Sequence, residues 1–279
     1  MKKYAIVEIK GGLGNQIFQY SFSNYLKKMG FSIKYNLDFY QTDDNNNTQR
    51  EFLLDTLNVE LEPANLFYIK FINFLNFLVN SRKINKTLPF LKKHIFKYFK
   101  EKDFKSDDLL DHYPVFNYFD GYWQNNENLI IIQKNELFSK FRLSKTSFQN
   151  KKTMIHVRRS DYLQLGIELP LEYYVEAFKL LENKIGKFNF DIYTDDYGWV
   201  MKQEIFSSCQ NIYTEKDDTV TTFKNMIGYQ HYIIANSTYS YLAALFGEEK
   251  PSQIMMPYKW NKNKDENFLT ENNWTKVKF

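Results

Sequence analysis

From Thr153 to Phe246 the sequence alternates short β-branched or aromatic runs with longer amphipathic ones, and that alternation leaves few choices of fold. Thr153–Val157, Phe188–Thr194, Asn211–Thr214 and Tyr232–Ala235 read as strands. Helices follow from Pro170, from Tyr197, over Thr222–Gly228 and over Thr238–Phe246. Strand followed by helix, repeated, is the pattern of a parallel sheet. The amino-terminal part starts the same way: a buried strand over Tyr4–Ile9, then Gly11-Gly12-Leu13-Gly14-Asn15-Gln16 opening a helix. That helix carries Phe18, Phe22, Tyr25, Leu26 and Met29 on one face and ends near Gly30, before a second strand over Phe31–Tyr35. The expected class is α/β, with a domain over 1–150, a domain over 151–279, and a linker in the polar run 145–152. The Asn- and Asp-rich tract 41–50 reads as a surface loop.

At 279 residues the chain can bury a full core. Its formal charge of +4 is unevenly spread: Leu66 to Lys105 holds ten basic residues against two acidic, a local +8 that leaves −4 elsewhere. This basic segment, about 63–102, is expected to be helical. Leu66–Val79 is apolar but broken by Lys70, Asn73 and Asn76. Pro89 suits the first turn of a second helix with Leu91, Ile95, Tyr98 and Phe99 on one side and Lys92, Lys93, Lys97 and Lys100 on the other. Such a helix lies either on a protein core with a solvated lysine face or on an anionic membrane. No apolar run reaches the roughly 18 residues of a membrane span, and the amino terminus does not read as a signal peptide. The single cysteine, Cys209, excludes an internal disulfide and fits a reducing compartment. A cytoplasmic protein, peripheral at the inner membrane face at most, is the expectation.

Polar clusters fall at the carboxyl ends of the predicted strands, the edge where open parallel sheets bind ligands. After the first strand comes the glycine loop, which lacks the spacing of dinucleotide-binding and phosphate-binding loops yet can bring backbone N–H groups to an anion or a hydroxyl. At the carboxyl end of Thr153–Val157 stand His156, Arg158, Arg159 and Asp161. Two guanidiniums there suit a multiply charged oxyanion with phosphate oxygens, or else an Arg–Asp salt bridge that caps a turn. Asp195-Asp196 follow the next strand, as ligand acceptors or a helix cap. Asn236-Ser237-Thr238 open a helix, as an anion seat or an ordinary N-cap. In Gly121-Tyr122-Trp123-Gln124 aromatic faces stand beside an amide, which fits a sugar ring or packing beneath a junction. The four histidines lack metal-ligand spacing, so no metal is expected.

Gly11 to Tyr20, Gly121 to Gln124, His156-x-Arg158-Arg159-x-Asp161-Tyr162, Tyr193 to Asp196 and Asn236 to Ser240 occur in the order and spacing that resembles the bacterial α-1,2-fucosyltransferase family. The resemblance implies a GT-B architecture of two Rossmann-like domains, the carboxyl-terminal one binding GDP-sugar. It implies transfer of L-fucose from GDP-fucose to the 2-hydroxyl of a galactose-type acceptor in a surface glycan such as O-antigen, with inversion and without a metal. In those terms Arg158 and Asp161 are the catalytic candidates. His156, Arg159, Asp195, Asp196, Asn236, Ser237, Thr238, Gly12, Gly14 and Asn15 fall on the donor side, and Tyr122, Trp123 and Gln124 on the acceptor side. The family's usual continuation of Asn-Ser-Thr differs here, as Tyr239-Ser240-Tyr241-Leu242, and an acidic residue before it is Thr222.

For a leaving GDP, Arg158 is expected to stabilise charge on the β-phosphate, with Arg159 and the Ser237–Thr238 helix start assisting. Asp161 is nominated as the base for the acceptor hydroxyl, with Glu8 and His156 as alternatives and the orientation of Arg158 as its other role. The partners expected are a GDP-sugar, an oligosaccharide or lipid-linked glycan and an anionic membrane, with no nucleic acid. The rival readings are another nucleotide-linked deoxysugar as donor, and a non-catalytic protein binding glycan or nucleic acid.

Overall fold

The computed structural model of the chain describes residues 3–41, 50–80, 94–104, 114–124, 127–144, 149–214, 218–248, 251–260 and 273–279. They form two compact units, Met1–Gln133 and Lys134–Phe279, each α/β with its own sheet. The sequence reading set the boundary at 150/151. It falls earlier because the two short helices before that point belong to different units.

The first unit contains β1 (Lys3–Glu8), α1 (Leu13–Lys28), β2 (Phe31–Asn36), α2 (Leu66–Asn80), β3 (Phe96–Lys100), β4 (Phe116–Asp120) and α3 (Glu127–Ile132). Its strands pair in parallel in the order β2-β1-β4-β3. One face of this sheet carries Ala5, Val7, Ile33, Phe99 and Phe119 against Phe22, Leu26 and Trp123. The other carries Ile6, Phe96 and Tyr118 against Ile72 and Leu75 of α2. Period-two alternation therefore gives β1 an apolar side chain for each layer. Gln133, just past α3, donates from Nε2 to the Ser21 carbonyl of α1 at 3.0 Å.

The second unit contains α4 (Lys134–Lys140), β5 (Gln149–Val157), α5 (Ser160–Leu165), α6 (Leu171–Ile185), β6 (Asn189–Thr194), α7 (Tyr197–Val200), β7 (Asn211–Thr214), α8 (Thr219–Ile227), β8 (Tyr229–Ile233), α9 (Thr238–Gly247), β9 (Ile254–Pro257) and β10 (Thr275–Val277). The strand order β10-β9-β8-β5-β6-β7, all parallel, is the doubly wound arrangement, and the order reverses between β5 and β8. Ile155 and Val157 face α6, while His156, one residue out of step, lies toward Tyr239 of α9 with ring centroids 6.2 Å apart. Phe138 and Phe141 pack on Phe246, which ties α4 to this unit.

Two expectations are corrected. Phe96–Lys100 is a strand, not the continuation of a helix from Pro89: Phe96 and Phe99 are buried and the backbone pairs with β4. The aromatic spacing suits either period, and the neighbouring strand decides. Pro89 itself and Lys92–Lys93 lie outside the described residues, as do 42–49 of the polar tract. The 145–152 run is not wholly linker either, because Gln149–Lys152 begin β5. Lys152 is tolerated there since its ammonium pairs with the buried Asp191 carboxylate at 3.1 Å, so it is an ion-pair partner and not a loop signal.

Candidate active site

In the second unit the carboxyl ends of β5 and β8 meet where the strand order reverses, the position at which such sheets bind ligands. The strand ends at Val157, and Arg158 turns its guanidinium onto two carboxylates. Its Nε donates to Asp161 Oδ1 at 3.0 Å, Nη2 lies 2.8 Å from the same oxygen, and Nη1 lies 3.0 Å from Asp195 Oδ2. The guanidinium carbon also stands 5.6 Å from the Tyr162 ring centre. Tyr162 in turn donates to the Asn236 carbonyl at 3.2 Å, linking this group to the start of α9.

Asp195 organises the turn. Besides meeting Arg158, its carboxylate accepts from the backbone N–H of Arg159 at 2.7 Å and of Ser160 at 3.1 Å. Asp196 does something else: it caps α7 by accepting from Trp199 N at 3.0 Å and receives Arg159 Nε at 3.2 Å. Arg159 lies over Trp199 with 4.2 Å to the ring centre. The adjacent arginines thus go separate ways, Arg158 to Asp161 and Asp195, Arg159 to Asp196 and an indole. Of the two roles open for the Asp pair, Asp196 takes the helix cap.

His156 is buried, and its Nδ1 has no hydrogen-bond partner among the described residues. Burial pushes its pKa down to about 3, with the Arg158 charge acting in the same direction. The ring is neutral at pH 7 and a poor proton acceptor. Asn236 donates through Nδ2 to the carbonyls of Ile167 at 2.8 Å and Trp260 at 3.0 Å, which fixes the chain at the entry to α9. Ser237 is the N-cap residue of α9 but makes no side-chain cap bond.

In the first unit the glycine loop is held by two buried amides that the sequence reading did not single out. Gln16 donates to the Gly11 and Glu51 carbonyls at 3.0 and 2.8 Å and accepts from Leu53 N at 2.9 Å. Gln19 accepts from Lys10 N at 3.0 Å and donates to the Gly121 carbonyl at 3.1 Å. Gly11 has φ +80°, and a Cβ there would come 2.7 Å from Asn15 Nδ2. Around Gly12 a Cβ would meet nothing within 4 Å. Gly14 is buried in the first turn of α1, and Asn15 accepts from Gln124 Nε2 at 2.8 Å.

Trp123, expected on the acceptor side, is instead core. It is 1% exposed and stacks on Phe22 at 3.9 Å, with Phe104 and Phe119 against it edge-on. No face of its ring is left for a sugar, so packing, the other role open to it, is the one it has. Tyr122 next to it is exposed and has the Lys10 ammonium 5.8 Å from its ring centre.

Lys10 belongs to a cluster at the reversal of the first sheet, between β1 and β4. Its Nζ meets Asp120 Oδ1 at 2.5 Å and Glu8 Oε2 at 3.2 Å, while Tyr98 of β3 donates to Asp120 Oδ2 at 2.9 Å. Burial raises the Glu8 pKa to about 7, against the pull of Lys10 and with the help of Asp120. Asp120 is displaced downward: burial works against this, but hydrogen bonds from Lys10, Glu8 and Tyr98 prevail. Glu8 is the group here that exchanges a proton near neutrality. The sequence offers Tyr98 only as part of a helix face and does not single out Asp120, although an acid before Gly121 at a strand end is the available signal.

Two parallel-sheet α/β units in series, one with a guanidinium held at its strand reversal beside a helix start, define an enzyme that binds a charged ligand at a sheet edge. The chain belongs to glycosyl transferase family 11, whose model matches residues 4–278. It is an enzyme of glycosyl transfer. The O-antigen biosynthesis glycosyltransferase WbnK of Escherichia coli is 25% identical over 95% of this chain and 98% of its own. An α-1,2-colitosyltransferase of the same organism is 26% identical over 91% of each. Among solved structures, POFUT1 in complex with GDP matches with a TM-score of 0.44 at 13% identity, covering 91% of this chain and 98% of that one.

Proposed function

We propose that this enzyme transfers L-fucose from GDP-fucose to the 2-hydroxyl of a galactose-type residue in a surface glycan, with inversion and without a metal. The observation that carries the reading is the Arg158 guanidinium, fixed by Asp161 and Asp195 at the strand reversal beside the start of α9. As the glycosidic bond breaks, charge gathers on the β-phosphate. A cation already held in place stabilises it without reorganising. The amino end of α9, with Ser237 and Thr238, adds the positive end of a helix dipole. Asn236, His156 and Arg159 are assigned to the donor side, and Asp195 and Asp196 hold the loop that carries both arginines. Gly12, Gly14 and Asn15 of the first unit are assigned to the donor, and Tyr122 with Gln124 to the acceptor.

Asp161 orients Arg158, since its oxygen is already engaged by that guanidinium. The acceptor proton goes to Glu8, whose pKa lies near neutrality. The acceptor is lipid-linked and is met at an anionic membrane surface. The names of the relatives support glycan assembly and a deoxysugar donor, and colitose is the rival sugar.

The test is incubation of the purified enzyme with GDP-fucose or GDP-colitose and a panel of β-galactosides, with EDTA present. Mass and linkage analysis should find fucose on the galactose 2-hydroxyl. Product from GDP-colitose alone assigns the other sugar, and no product without added metal overturns metal independence.

A further inference from the structure

Helix α2 is apolar on the side that packs and also on the side that does not. Ile69, Ile72 and Leu75 are buried against the first sheet, and Tyr68 and Phe71 set their rings edge-on to Phe116. On the opposite side Leu66 is 62% exposed, Phe67 77%, Phe74 56% and Phe77 69%. Positions 66, 70, 73 and 77, with 67 and 74 beside them, make one stripe at helical spacing. Within it stands exposed Lys70, and the helix has no acidic residue. Large apolar side chains grouped on one exposed helix face mark an interaction surface.

We propose that this face of α2 is the enzyme's docking surface for an anionic lipid bilayer, the helix lying in the headgroup plane. This rests on the proposed function for its purpose, not for its geometry. Charge selects the occupant. The stretch from Leu66 to Lys105 has the local excess of +8. A second copy seated on the same face would set Lys70 against Lys70 with no acidic residue on either helix to offset them. Anionic headgroups neutralise both while the phenylalanines enter the acyl boundary. Length fits this placement: 15 residues at 1.5 Å rise span about 22 Å, less than a hydrocarbon core. No described helix is long and apolar enough to cross a membrane.

The experiment is vesicle flotation of the full chain with phosphatidylcholine, alone or mixed with phosphatidylglycerol. The wild type is expected to float with the mixed vesicles and to stay in solution with phosphatidylcholine alone. The triple variant Phe67→Gln, Phe74→Gln, Phe77→Gln should bind about tenfold or more weakly, and Lys70→Glu should weaken binding as well. Its melting temperature and its rate on a soluble acceptor should equal those of wild type, so a failed docking surface is told apart from a failed assignment of activity. Absence of binding to mixed vesicles, or binding unchanged in the triple variant, overturns the proposal. So does a wild-type dimer in sedimentation that the triple variant loses, since that gives the face to a second copy.

Discussion

Arg158 Nη1 lies 3.0 Å from Asp195 Oδ2, and the same carboxylate accepts the backbone N–H groups of Arg159 and Ser160. One acid at the end of β6 therefore sets both the position of the guanidinium and the course of the loop that bears it. This explains how a cation can be fixed at a strand end without burial in the core.

Replacing Arg158 tests its use directly. Arg158→Ala should lower kcat by on the order of a hundredfold or more while the far-ultraviolet spectrum is kept. Arg158→Lys should recover little, because one ammonium cannot reproduce the forked contacts to Asp161 and Asp195. Near wild-type turnover in either variant, in steady-state assays with saturating acceptor, would remove Arg158 from the mechanism.

Glu8 and Asp161 are separated by pH. With a base of pKa about 7, kcat/KM should fall tenfold per unit as pH drops below that value, because only the carboxylate accepts a proton. Glu8→Gln should abolish this limb and most of the rate. Asp161→Asn should keep the limb while lowering the plateau, having loosened Arg158. A limb that survives in Glu8→Gln gives the titration to another group.

Much of this was legible in the sequence. The β-then-α series and the strand-end location of Arg158 follow from periodicity and from residue types needing a particular edge. Other features depend on distant partners. Nothing local to Trp123 says that Phe22 covers it, and the lysines of Phe96–Lys100 conceal a strand whose identity is set by β4. The polar run before Thr153 looked like linker because Asp191, which holds Lys152, is far off in sequence. The short strands β9 and β10 have too few residues to show a period.

His156 predicts an acid-sensitive fold. Its folded pKa of about 3 lies below the ordinary imidazole value of 6.5, so between those values the unfolded chain binds more protons than the native one. Stability should therefore fall as pH drops below about 6.5, by up to about 1.4 kcal/mol per unit from this residue. Glu8, with its raised pKa, contributes in the opposite direction between about 4.5 and 7. Urea midpoints of wild type and His156→Gln at pH 7 and 5 isolate the imidazole. The stability difference between the two proteins should shift by about 2 kcal/mol in favour of the variant at pH 5, and an equal response of both to pH would contradict the assignment.

The adjacent glycines of the loop should fail for different reasons. Gly11 has φ +80°, where a side chain is strained, and a Cβ would press on Asn15 Nδ2, so Gly11→Ala should cost about 1–2 kcal/mol in urea unfolding. Gly12 has φ −76° and ψ 174°, which alanine adopts freely, and space around its missing Cβ. Gly12→Ala should then cost less than about 1 kcal/mol, the loss of a favoured N-cap residue. If backbone here must approach the donor closely, the added methyl should instead raise the Kd for GDP-fucose, read by calorimetry, with little change in midpoint. Unaltered donor affinity in Gly12→Ala would mean that the loop's open space is not used by the nucleotide-sugar.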